Sequence, residues 1–244
     1  MNVYTAEFIG TAILILLGDG VVANVVLRQT KGSGGGWIVI TAGWGLAVYT
    51  AVLCVGPVSG AHINPAVSVG LAAAGVFDWS LVPGYVAAQM AGAFVGAVLV
   101  YVFYRQHFAV TDDADGKLAV FCTGPAIRGL GVNTFCEVIG TFVLVYAVLL
   151  MIDPSFTAEG LGEVTIGLGS LGALRVGLIV FAIGLSLGGT TGYAINPARD
   201  LGPRVAHALL PIPGKRDSDW SYATVPVIGP IAGGVFAAAV YWAL

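Results

Sequence analysis

The chain has 244 residues, 57% of them hydrophobic and only 9% charged, with a mean hydropathy of +0.92. A soluble domain carries about 25% charged residues, so this composition excludes a water-soluble globule and fits a polytopic helical membrane protein. The net charge of -3 comes without a basic cluster, which argues against a nucleic-acid partner, and Cys54, Cys122 and Cys136 form no disulfide framework.

The first apolar run, 6–27, continues well past signal-peptide length and has no basic flank, so it reads as a retained helix. A polar break, Arg28–Gly36, includes the flexible Gly-Ser-Gly-Gly-Gly run at 32–36, and a second span follows at 37–56. Asn64-Pro65-Ala66 then opens a segment, 65–75, too short to cross a bilayer, which takes roughly 20 residues. Asn is a favoured helix N-cap and Pro suits the first helical position, so the triplet reads as a helix start. Span 82–104 comes next, then the break Arg105–Val132, span 133–152, the break Asp153–Ser170 and span 173–189. Asn196-Pro197-Ala198 opens a second short segment, 197–207, and the chain closes with the break Pro211–Tyr222 and span 224–243. The 36 glycines suit helices that approach closely in lipid.

The two halves repeat. Ala6-Glu7-Phe8-Ile9-Gly10-Thr11 matches Cys136-Glu137-Val138-Ile139-Gly140-Thr141, and Gly60-Ala61-His62-Ile63-Asn64-Pro65-Ala66 matches Gly192-Tyr193-Ala194-Ile195-Asn196-Pro197-Ala198. Ala91-Gly92 matches Ala232-Gly233. Each half, approximately 1–104 and 133–244, holds three spans, an odd number, so the second is inserted upside down relative to the first. The short helices then enter from opposite faces and meet N-terminus to N-terminus within one channel domain, 1–244. Broken helices meeting at the membrane midplane are how membrane proteins build pores and binding sites.

With these motifs the chain resembles the aquaporin superfamily over essentially its full length. Within it, the chain is similar to the glycerol-facilitator, or aquaglyceroporin, branch: Asp200 follows Arg199 after the second motif, and Tyr104, Arg204 and Pro226-Val227 also fall on that side. The resemblance implies an all-α, right-handed bundle of six transmembrane helices plus two half-helices, assembled as a homotetramer in a lipid bilayer. It implies a passive channel for glycerol and related small neutral solutes, with water, that excludes ions and protons. It places the aromatic/arginine selectivity filter at Trp44, Gly184, Tyr193 and Arg199. Gly184 leaves the pore wider than the His of water-selective members; Tyr193 departs from the usual Phe and leaves the preferred solute open.

The residue chemistry fits. The amides of Asn64 and Asn196 can donate to a passing oxygen, and the helix N-termini behind them contribute roughly half a positive charge each. Arg199 is a fork of donors deep in the membrane, where an unpartnered charge costs a few kcal/mol or more. Trp44 and Tyr193 form an apolar corner opposite it, matching a polyol with carbon on one side and hydroxyls on the other. Gly60, Ala61, His62 and Ile63, with Gly192, Ala194 and Ile195, are expected to run extended and line the pore with carbonyls. His62 is either a packed, hydrogen-bonded residue or a pH gate. Glu7 and Glu137 are expected to brace the motif loops, with a proton relay as the alternative, and Asp200 to hold its loop near Arg204.

Gly18-Asp19-Gly20-Val21-Val22-Ala23 imitates a dinucleotide fingerprint, but it lies inside a span with no strand before it. Asp19 is thus an intramembrane acid that the motifs leave unexplained, with pairing at a helix contact or at a subunit contact as the alternatives. With no nucleophile–base pair, metal cluster or phosphate loop, the chain is expected to be neither an enzyme nor a cofactor or metal binder. The family places both termini in the cytoplasm. Every Lys and Arg except Arg175 then falls in outer loops or the second half-helix, against the positive-inside rule. Competing readings are a facilitator mainly for lactic acid, dihydroxyacetone or hydrogen peroxide, a proton-coupled secondary transporter, and a junction-forming structural protein.

Overall fold

Asn2 caps the first helix by accepting a hydrogen bond from the Thr5 N–H, and α1 runs Val3–Val26 in a computed structural model that describes residues 1–160 and 162–244. Helix α2, Trp37–Ser59, ends where Gly60 turns left-handed at φ 78°. The short α3, Pro65–Ala73, is capped by the Asn64 side chain, which accepts from the Ala66 N–H. A single 3-10 turn, Trp79–Leu81, leads into α4, Val82–Phe103. Two small helices, α5 (Arg105–Val110) and α6 (Ala114–Phe121), occupy what the sequence presents only as a polar break. Their length, not their pattern, hides them from a hydropathy reading.

Helix α7, Leu130–Leu149, opens the second half. The break that follows holds an antiparallel hairpin, β1 (Ser155–Ala158) and β2 (Gly162–Thr165), with Ser155 opposite Thr165. Helix α8, Ser170–Leu187, α9, Pro197–Leu209, and α10, Val225–Trp242, complete the chain. Helix α9 tolerates Pro203 in its interior and is longer than α3, 13 residues against 9.

Six of these helices are long and apolar enough to cross a membrane: α1, α2, α4 with its preceding turn, α7, α8 and α10. They pack through small residues. A Cβ on Gly92 would sit 2.2 Å from the Phe8 carbonyl oxygen, and one on Gly233 would sit 2.3 Å from that of Val138. The two contacts occupy equivalent places, α4 on α1 and α10 on α7, so the repeat in sequence is a repeat in packing. Large apolar side chains such as Leu46, Val102, Phe103, Phe135, Leu178 and Phe236 point outward, as a lipid-facing surface requires.

Candidate functional site: the cavity between the half-helices

Two loops carry the site, and their backbone is unusual. Besides Gly60 (φ 78°) and Gly192 (φ 80°), the left-handed region holds Ala61, Ile63, Tyr193 and Ile195, at φ 50°, 44°, 41° and 42°. For side-chain-bearing residues this conformation costs about 1–3 kcal/mol each and persists only where the surroundings impose it. The expectation of simply extended stretches is therefore corrected. Consecutive N–H groups of an extended strand point to opposite sides, whereas here neighbouring N–H groups converge on one carboxylate.

That carboxylate is Glu7 in the first half. Its Oε1 accepts from Ser59 Oγ (2.6 Å) and His62 N (3.0 Å); its Oε2 accepts from Ile63 N (2.6 Å) and Gln89 Nε2 (2.7 Å). Glu137 does the same in the second half, taking Thr191 Oγ1 at 2.7 Å and Ala194 N at 3.0 Å on Oε1, and Ile195 N at 2.8 Å on Oε2. Both side chains are buried. His62 lies between Ser68 Oγ, 3.0 Å from its Nδ1, and the rings of Phe77 and Tyr85. Ser59, Thr191, Gln89 and Tyr85, which donates to the Ser59 carbonyl at 2.9 Å, escaped the sequence reading. The matched positions of Ser59 and Thr191 in the repeat were the available signal.

The half-helices meet through their caps. Each Asn uses its Oδ1 as cap acceptor and its amide to cross-link: Asn64 Nδ2 donates to Ile195 O and Asn196 Nδ2 donates to Ile63 O, both at 2.8 Å. An amide nitrogen carries two hydrogens, so each Asn retains one donor. Pro65, Ala66, Pro197 and Ala198 are buried first turns of α3 and α9.

Beside these caps lies a cavity of about 300 Å³ lined by Gly60, Ala61, His62, Ile63 and Asn64 from the first loop and Tyr193, Ala194, Ile195, Asn196 and Arg199 from the second. Trp44, Val48, Leu144 and Val180 supply apolar wall. The Arg199 guanidinium lies over the Trp44 ring, its Cζ 4.0 Å from the ring centroid. Two expected lining residues are absent from this wall. Gly192 faces Thr123, whose side chain a Cβ there would meet at 3.3 Å. Gly184 is covered by Tyr193: an added Cβ would lie 2.8 Å from the Tyr193 Cζ and 2.9 Å from Thr41 Cγ2. The missing side chain at 184 thus seats an aromatic ring instead of widening the cavity directly. Trp37, also unforeseen, packs edge-on to Tyr193 at 5.7 Å and donates to Gly184 O at 2.9 Å.

Around α9 the support is ionic. Asp200 accepts from Thr123 N and Oγ1, each at 2.8 Å, and pairs with Arg204 at 2.8 and 3.0 Å. Arg204 reaches on to the carbonyls of Thr123 and Ser218. Arg199 Nη1 donates to Phe121 O and lies against Asp19, both at 3.3 Å. Tyr104 caps α4, and Pro226-Val227 begins α10; none of the three lines the cavity. In the loop between α9 and α10, burial pushes the Asp219 carboxyl up, but hydrogen bonds from Arg128 and Ser221 outweigh it and hold its pKa below the ordinary value.

Six bilayer-length helices, with two half-helices joined at their N-termini beside an internal cavity, define a membrane channel of the aquaporin fold. The major intrinsic protein family model matches residues 1–241, and the chain belongs to that family. It is 62% identical over 241 residues to the "Probable glycerol uptake facilitator protein" of Thermotoga maritima, covering 99% of this chain and 98% of that one. It is 53% identical over 241 residues to the glycerol uptake facilitator protein of Bacillus subtilis, covering 99% and 84%. The X-ray structure of the aquaglyceroporin from Plasmodium falciparum matches with a TM-score of 0.83 at 34% identity, over 98% of this chain and 94% of that one.

Proposed function

We propose that this protein is a passive channel for glycerol and related small neutral solutes, which also conducts water. The observation that carries this reading is the mixed lining of the cavity. Asn64, Asn196 and Arg199 offer donors, while Trp44, with the Arg199 guanidinium lying over its ring, and Val48, Leu144 and Val180 offer carbon. A polyol exposes both kinds of surface at once. Its hydroxyls accept from the free amide hydrogens and the guanidinium and donate to loop carbonyls, so it sheds water at little cost. The half-helix N-termini and Arg199 oppose cations and a hydronium relay, an effect established for aquaporin-type pores. The relatives named as glycerol uptake facilitators support the same solute.

The proposed working form is a homotetramer in a lipid bilayer with a pore in each protomer, both termini cytoplasmic, each protomer built from inverted halves at about 1–104 and 133–244. Stopped-flow light scattering of proteoliposomes with glycerol, lactic acid, dihydroxyacetone and water tests the solute. Glycerol should equilibrate well above the protein-free rate and stop at equal concentrations. Uphill accumulation driven by a pH gradient would instead establish a coupled transporter.

A further inference from the structure

Asp19 has no part in the mechanism above, yet it is fully buried in α1, where a carboxylate without a partner is costly. Its Oδ1 lies 3.3 Å from Arg199 Nη1, and its Oδ2 has no hydrogen-bond partner among the described residues. The residue before it explains the rest of the arrangement. A Cβ on Gly18 would lie 2.3–2.5 Å from three atoms of the Trp44 six-membered ring, so only glycine lets that ring lie against α1. The same Trp44 ring carries the Arg199 guanidinium. Two adjacent residues of α1 therefore touch both the aromatic and the cationic wall of the cavity.

The charges nearby divide cleanly. Asp200 and Arg204 are both fully buried and neutralise each other. Arg199 is left at the cavity wall with Asp19 as its counter-charge. Without Asp19, an unmatched guanidinium would stand beside two half-helix N-termini, each worth roughly half a positive charge. A lining of that sign is what draws anions into a pore.

We propose that Asp19 is a specificity-determining residue, the buried counter-charge that offsets the pull of Arg199 on anions and closes the constriction to small monovalent anions. The guanidinium keeps its donors for hydroxyls, while an entering anion meets attraction from Arg199 and repulsion from Asp19 together. The inference rests on the pore reading above, which glycerol flux measures separately in the same vesicles.

The test uses the full chain in liposomes, with nitrate as the probe because it has no neutral form near neutral pH. Nitrate permeation is read with a potentiometric dye and glycerol flux by light scattering. Wild-type vesicles should pass glycerol and hold nitrate at the protein-free level. Asp19→Asn should raise nitrate permeability by roughly tenfold or more and lower glycerol flux about two- to fivefold, as Arg199 loses its anchor. Combining Asp19→Asn with Arg199→Gln should return nitrate to the wild-type level, a reversal that a merely structural role would not produce. Wild-type vesicles that pass nitrate about as fast as glycerol overturn the proposal whether or not any variant folds. Glycerol-conducting Asp19→Asn vesicles with nitrate at the wild-type level also overturn it. Absence of glycerol flux in the wild type overturns the pore reading, and this inference with it.

Discussion

The two motif loops are supported alike but equipped differently. Glu7 with Ser59 and Glu137 with Thr191 hold the same backbone N–H groups in the same way, and Asn64 and Asn196 exchange equivalent hydrogen bonds. Beyond the caps the halves part. Where α9 carries Arg199, Asp200 and Arg204, the matched positions of α3 are Val67, Ser68 and Ala72. The first half completes its loop with neutral donors, Gln89 and the Ser68–His62 contact. What both halves share is scaffold; what only the second half-helix has is charge. Selection by charge is thus confined to one end of a nearly symmetric frame.

The shared part should yield the largest effects. Glu7→Ala strands four donors and Glu137→Ala three, each costing about 1–3 kcal/mol if left unsatisfied. Both variants should lose folded protein on size-exclusion chromatography, Glu7→Ala at least as severely, and Glu→Gln should be milder because one acceptor survives. A folded Glu7→Gln protein whose transport fails in a pH-dependent way would favour coupling over scaffolding.

The unshared part should break differently. Arg204→Met leaves Asp200 as a buried charge without its partner, a loss of about 3–5 kcal/mol in thermal unfolding. Adding Asp200→Ser, which copies Ser68 of the first half, should recover much of that loss, because replacing a buried pair by neutral groups is often tolerated. A double variant no more stable than Arg204→Met would show that the second half needs the charge itself.

Gly184 tests the filter. Because Tyr193 covers it, His at 184 should push the ring toward the cavity and cut glycerol flux by roughly tenfold or more while reducing water flux less, a discrimination set by pocket size. Equal loss of both fluxes in a folded protein would place Tyr193 away from the narrowest point.

Much of this was legible in the chain. Helix starts at Asn64 and Asn196 follow from cap chemistry, and the equivalence of Glu7 and Glu137 follows from the repeat. The left-handed backbone of Ala61, Ile63, Tyr193 and Ile195 was not, because no propensity favours it; tertiary hydrogen bonds impose it. Nor were α5, α6 and the hairpin legible, being too short to leave a period in the sequence. The excess of basic residues in the proposed outer loops also has a local reason. Arg28 pairs with Asp112 at 2.5 Å, Arg128 with Asp219 and Arg216 with Asp115, while Lys215 donates to the carbonyls of His207, Ala208 and Leu210 at the end of α9. These cations are committed to loop architecture, so their number is a poor guide to orientation.

The smallest effect belongs to the departure at Tyr193. Its ring is held by Gly188, where a Cβ would lie 2.4 Å from Cδ1, and by Trp37, while its buried hydroxyl has no hydrogen-bond partner among the described residues. Tyr193→Phe removes a polar atom that nothing satisfies and leaves the ring where it is. Stability should therefore change by less than about 1 kcal/mol, with any shift favourable. Glycerol conduction should persist, and only the ranking among solutes should move, read as relative light-scattering rates for glycerol, lactic acid and dihydroxyacetone. If Tyr193→Phe abolished glycerol flux in a folded channel, the hydroxyl would be a ligand for the passing solute. Charge would then not be the only selective chemistry that distinguishes the second half from the first.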